Sequence, residues 1–110
     1  MGLPNCYRCG KQPCECKDGV TIYHADCREV LNDIETGCVD LVLTDPPYGV
    51  RYVTSRRSRT DKLRAPVAND ESLGVLAEAW PNVIRSLRED RHWYLFASPR
   101  MIHEMLPITG

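Results

Sequence analysis

Residues 39–47 read VDLVLTDPP, and this run constrains the fold more than any other part of the chain. A strand with one wet face alternates apolar and polar residues. A strand covered on both faces does not, so the near-continuous aliphatic and β-branched stretch from Val39 to Thr44 predicts a strand inside a parallel sheet. It stops at Asp45-Pro46-Pro47 because proline cannot donate to a ladder. Parallel neighbours need long crossovers, usually helical, and the flanking sequence offers them. Upstream, Val20 to Tyr23 is a short β-rich run, and Asp26 is placed to cap a helix with Glu29 three residues later, as in a capping box. Val30, Leu31 and Ile34 form one face of that helix, and Gly37 suits its exit. Downstream, Leu73, Leu76, Trp80, Val83, Ile84 and Leu87 follow helical spacing, with Asn69 and Asp70 as candidate caps. Pro81 inside that pattern predicts a kink or a split. Trp93 to Ala97 reads as a third buried strand. Ser98-Pro99 then opens a last helix carrying Met101, Ile102, Met105 and Leu106, which Pro107 ends. The expected class is α/β: about three parallel strands with helices, in a right-handed βαβ series.

A chain of 110 residues can build one modest core. The first eighteen residues, MGLPNCYRCGKQPCECKD, hold two prolines, two glycines and no apolar period, so they predict a turn-rich segment. A boundary near Asp18-Gly19 divides the chain into a cysteine-rich piece, 1–18, and a main domain, 19–110. No apolar run approaches the roughly 18 residues of a membrane span, and no leader opens the chain, so a cytoplasmic location is expected. In a reducing compartment clustered cysteines are read as metal ligands. Cys6, Cys9, Cys14 and Cys16 have the spacing C-x2-C-x4-C-x-C, and four such thiolates could surround one zinc ion tetrahedrally in a structural knuckle. Cys27 and Cys38 stand alone, and His24 and His103 have no partner at metal spacing. Trp80, Trp93 and the methionines read as core.

The 14 basic and 15 acidic side chains nearly cancel, so the whole chain shows no excess that points to nucleic acid. Their distribution does. Between Arg51 and Arg64, Arg51, Arg56, Arg57, Arg59, Lys62 and Arg64 face only Asp61. The stretch from Gly49 to Pro66 is polar, aperiodic and longer than an ordinary connection, which suits either phosphate contacts or a solvated charge run.

In an open parallel sheet ligands bind beyond the carboxyl ends of the strands. Asp45-Pro46-Pro47-Tyr48 falls at such an end. Its prolines stiffen the backbone and leave carbonyl oxygens without a neighbouring amide donor. A carboxylate, a bare carbonyl and an aromatic ring together suit a planar amino-aromatic ligand. The oxygens accept from its amine while the ring stacks.

The run VDLVLTDPPYG, Val39 to Gly49, resembles the catalytic motif of amino-directed DNA methyltransferases. VTIYHADCREVL, Val20 to Leu31, is similar to the strand and acidic turn preceding that motif in the circularly permuted subclass, and WYLFA, Trp93 to Ala97, looks like the next strand. The resemblance spans Val20 to Leu106. It implies a partial Rossmann-like fold, S-adenosylmethionine as cofactor and double-stranded DNA as partner. It further implies catalytic roles for Asp45, Pro46, Pro47 and Tyr48, and cofactor contacts from Asp26, which also suits a plain helix cap, and from Asp45. The target amine would be held by the Asp45 carboxylate and the Pro46 carbonyl on a base flipped out of the duplex and stacked on Tyr48. Asp at the head of the motif points to adenine, with cytosine the less favoured target, since cytosine-directed members of the family carry similar motifs.

The family's glycine-rich cofactor turn needs a G-x-G pattern, and the glycines at 2, 10, 19, 37, 49, 74 and 110 supply none. The chain therefore resembles the front half of the domain. A truncated product, a fragment or one part of a split enzyme completed by a second chain is expected, with weak cofactor binding and weak or no activity alone. The alternatives are a zinc-bearing nucleic-acid-binding module without catalysis and an inactive remnant.

Overall fold

The structure is a computed structural model that describes residues 2–46 and 73–110. In chain order its elements are α1 (Cys27–Val30), a single 3-10 turn (Leu31–Asp33), β1 (Val42–Thr44), α2 (Gly74–Ser86), β2 (Trp93–Leu95) and α3 (Ile102–Thr109). The strands pair in parallel, Val42 opposite Trp93, Leu43 opposite Tyr94 and Thr44 opposite Leu95, so α2 lies on the crossover between them. The pairing reaches past both strands. Val39 bridges Leu87, with Arg88 N donating to Val39 O at 2.8 Å, and Phe96 N donates to Thr44 O at 3.0 Å.

The class is mixed α/β as expected, but among the described residues the sheet has two strands where three were predicted. Val20 to Tyr23 is not a strand. Its carbonyls are engaged by the cysteine-rich segment instead: Tyr7 N donates to Ile22 O at 2.7 Å and the Arg8 guanidinium to Val20 O at 3.0 Å. Val20 O and Ile22 O thus take partners from the cysteine-rich segment and none from β1. The Trp93 strand is shorter than predicted, and it is not buried. α2 and α3 pack on the face carrying Trp93 and Leu95. The opposite face presents Leu43 and Tyr94, paired across the ladder and 64% and 55% exposed, flanked by exposed Leu41 and Phe96.

The core is Leu76 and Trp80 of α2 against Met105 of α3, bordered by Leu73, Val83, Leu95, Met101 and Ile108. Trp80 meets Trp93 edge-on, with ring centroids 4.9 Å apart. Pro81 neither splits nor ends α2, and α3 continues past Pro107 to Thr109. Proline's fixed φ is itself helical, so each ring removes one hydrogen bond while its neighbours Trp80 and Met105 keep the helices anchored in the core. The Ser98-Pro99 pair forms a turn, Met101 N donating to Ser98 O at 2.9 Å, and α3 begins only at Ile102. α2 starts from Leu73 without a side-chain cap, and the candidate caps Asn69 and Asp70 lie outside the described residues.

Arg85 fixes the approach to β1. Its guanidinium donates to Leu31 O, to Thr36 Oγ1 and to Asn82 Oδ1 at 2.8–2.9 Å. Its own carbonyl accepts from Gly37 N at 3.0 Å, where Gly37 turns at φ +68°. No helix among the described residues is long and apolar enough to cross a membrane.

Candidate metal centre and strand mouth

The four N-terminal cysteines converge as their spacing predicts. Cys6 Sγ lies 4.0 Å from Cys16 Sγ and Cys9 Sγ 3.9 Å from Cys14 Sγ, and all four sulfurs sit within 4.8 Å of one another. Four thiolates at zinc–sulfur distances of about 2.3 Å define a tetrahedron with edges of about 3.8 Å, so the cluster needs contractions of about 1 Å or less to hold a metal ion. Cys6 is buried and the other three are half-buried.

Two glycine turns shape the cluster. Gly10, at φ +74°, donates to Cys6 O at 2.8 Å, while Cys6 N donates to Lys11 O at 2.9 Å, which folds the first pair into a knuckle. Gly19, at φ +75°, donates to Cys16 O at 3.1 Å and closes the second. Backbone amides point at sulfur: Glu15 N donates to Cys9 Sγ at 3.5 Å and Cys16 N to Cys14 Sγ at 3.4 Å. Such donors favour thiolate over thiol. The Cys6 thiol is held down to about 6, chiefly by the backbone at Cys9 and then at Ile22, and Cys9 is lowered by the backbone at Glu15 and Lys11. Cys16 moves the other way, pushed up to about 12 by its bond with Cys14 and then by burial. One sulfur of a crowded set thus keeps its proton until a cation replaces it.

Arg8, within the knuckle, was not singled out from sequence. Its guanidinium bonds Asp18 at 2.9 Å and Val20 O, and its pKa is raised by Asp18 first and then by the sulfurs of Cys16, Cys6 and Cys14. Asp18 also accepts from Val20 N at 3.0 Å. The side chain therefore offsets cluster charge and ties the cluster to the segment before α1.

Asp45 and Pro46 follow the last residue of β1, with Asp45 exposed. Together with Cys27, Thr44, Leu76 and Trp80 they line a largely apolar cavity of about 260 Å³. Burial, the first cause, and Asp26 beside it raise the Cys27 thiol. Pro47, Tyr48 and the basic residues Arg51, Arg56, Arg57, Arg59, Lys62 and Arg64 lie outside the described residues.

Asp26 caps α1, accepting from Arg28 N at 2.9 Å, and its carboxylate also receives the Arg28 guanidinium, the shortest contact being 2.6 Å. That side-chain bond, followed by the backbone one, lowers Asp26 to about 2. Arg28 was the second residue that sequence reasoning passed over, since a pair two residues apart on a helix does not normally face itself. Here the non-helical cap geometry permits it. Comparison with protein-family models, with curated proteins and with solved structures finds no match to this chain.

Proposed function

We propose that the chain carries the base-gripping part of an S-adenosylmethionine-dependent DNA amino-methyltransferase domain, preceded by a structural zinc knuckle. The observation that carries this reading is the position of Asp45 and Pro46, directly beyond the carboxyl end of a parallel strand and at the rim of a cavity. In this reading the Asp45 carboxylate and the Pro46 carbonyl accept both hydrogens of an exocyclic amine on adenine. That holds the nitrogen pyramidal and its lone pair out of conjugation. Pro47 stiffens the turn, Tyr48 stacks on the extruded base, and the basic residues from Arg51 to Arg64 meet phosphates. S-adenosylmethionine supplies the methyl group in enzymes of this kind.

The positive-φ glycines among the described residues are Gly10, Gly19, Gly37 and Gly110, and none follows a strand, so no residue is assigned to the cofactor's methionine end. Asp26 reaches a cofactor adenine by exchanging its bonds to Arg28. A further segment of the domain or a partner chain is the proposed source of the glycine-rich turn. Zinc is the proposed metal because four thiolates satisfy its tetrahedron and leave no position for water, which makes the site structural. One divalent cation on four thiolates leaves an excess of negative charge, which Arg8 partly offsets.

Tritiated methyl transfer into mixed-sequence duplex DNA tests the reading. Slow incorporation that Asp45→Ala abolishes is expected. Incorporation indifferent to Asp45→Ala overturns it, and salt-sensitive DNA binding unchanged by Asp45→Ala would establish the zinc-bearing binding module in its place.

A further inference from the structure

We propose that the cysteine cluster is a metal-releasing thiol switch, in which a peroxide joins Cys6 to Cys16 and Cys9 to Cys14. The proposal rests on the zinc reading above. Within a set of sulfurs that all lie within 4.8 Å of one another, two hydrogen-bonded contacts, Cys6–Cys16 at 4.0 Å and Cys9–Cys14 at 3.9 Å, share no sulfur, and these define the proposed pairing. A disulfide needs sulfurs at about 2.05 Å, an approach of about 2 Å per pair that side-chain rotation supplies while the backbone turns stay in place. Pairing along the chain is less suited. Cys14 and Cys16 are separated by one residue, and the Cys14 sulfur already accepts from Cys16 N at 3.4 Å.

Access is graded as a switch requires. Cys9, Cys14 and Cys16 are half-buried and open to a small oxidant, whereas Cys6 is 1% exposed and placed to resolve a partner once that partner is oxidised. Each pair of thiolates gives two electrons to one peroxide, forming one sulfur–sulfur bond and two hydroxide ions. Two peroxides therefore convert four thiolates to two disulfides and four hydroxides, and the divalent cation leaves because neutral disulfide sulfur no longer holds it. Cys27 and Cys38 lie outside the cluster and serve as internal controls.

The experiment titrates the zinc-loaded full chain with hydrogen peroxide, following zinc with a chromogenic chelator and disulfides by mass spectrometry. Combined trypsin and glutamyl endopeptidase cut after Arg8, Lys11, Glu15 and Lys17, which places each of the four cysteines on its own peptide. The expected result is release of one zinc per chain as Cys6–Cys16 and Cys9–Cys14 peptides appear, reversed by a dithiol reductant with zinc present. Cys6–Cys9 and Cys14–Cys16 pairing, zinc retention while Cys27 and Cys38 oxidise, or conversion to sulfinic acid each overturns the switch. A chain that carries no zinc before oxidation refutes the metal reading, and its disulfide map still tests the pairing.

Discussion

Replacing Trp80 by alanine tests how the core and the cysteine cluster share the stability of the chain. Trp80 is 4% exposed, touches Leu76 and Met105 in the core and stands edge-on to Trp93 at 4.9 Å. Truncating a buried tryptophan costs about 3–5 kcal/mol, and losing an edge-to-face pair adds about 0.5–1.5 kcal/mol. A domain of this size has roughly 5–15 kcal/mol in total, so Trp80→Ala brings the α2–α3 core close to its threshold. None of the core residues comes from the segment 2–22, where the cluster lies, so metal binding should survive. Urea melts followed by near-ultraviolet circular dichroism, with metal content measured on the same samples, read both effects. Trp80→Phe keeps a ring in the site and should lose clearly less, which guards against a variant that fails to fold. A loss below about 1 kcal/mol for Trp80→Ala would refute the core assignment. Loss of metal in step with the core would refute the independence of the cluster.

Three further outcomes follow from particular contacts. Asp26 has a folded-state pKa depressed to about 2, so its contribution is present above the ordinary carboxylate range and lost as pH falls toward 2; Asp26→Asn should flatten the acid limb of the stability profile, and an unchanged limb would contradict the Arg28 pairing. Arg85→Ala removes two hydrogen bonds joining α2 to Leu31 and Thr36, and a third to Asn82 within α2, and should cost about 2 kcal/mol in urea denaturation; no loss would contradict that tie. Metal affinity should rise with pH because Cys16 must surrender a proton to bind. Chelation should also expose the Tyr7 amide, which donates to Ile22 O, to hydrogen exchange, and pH-independent affinity or an unchanged Tyr7 amide would contradict the cluster geometry.

Elements whose apolar pattern is set by their own residues could be read directly from the sequence. β1 emerged from the aliphatic run ending at Asp45, α2 from the spacing of Leu76, Trp80 and Val83, and the cysteine cluster from a spacing that spans only residues 6–16. Features decided by competition between distant groups were not. Val20 to Tyr23 has the composition of a strand, but no pattern of side chains shows that Tyr7 and Arg8 will take its carbonyls. Pro81 looks like a kink or a split and Pro107 like a helix end, yet nearby core residues outweigh one missing bond each. Burial of the Trp93 strand could not be read from its hydrophobicity either, because that composition does not say whether both faces find cover. Arg8 and Arg28 escaped notice for a related reason, since their partners depend on turn geometry rather than on helical or strand spacing.

Nucleoside mass spectrometry of duplex DNA incubated with the full chain and S-adenosylmethionine reads the central proposal most directly, because it identifies the atom that received the methyl group. A carboxylate and a proline-freed carbonyl gripping an amine predict N6-methyladenine, present with the native chain and absent with Asp45→Ala. N6-methyladenine that persists with Asp45→Ala, or a methyl group on a ring carbon, would contradict the proposal.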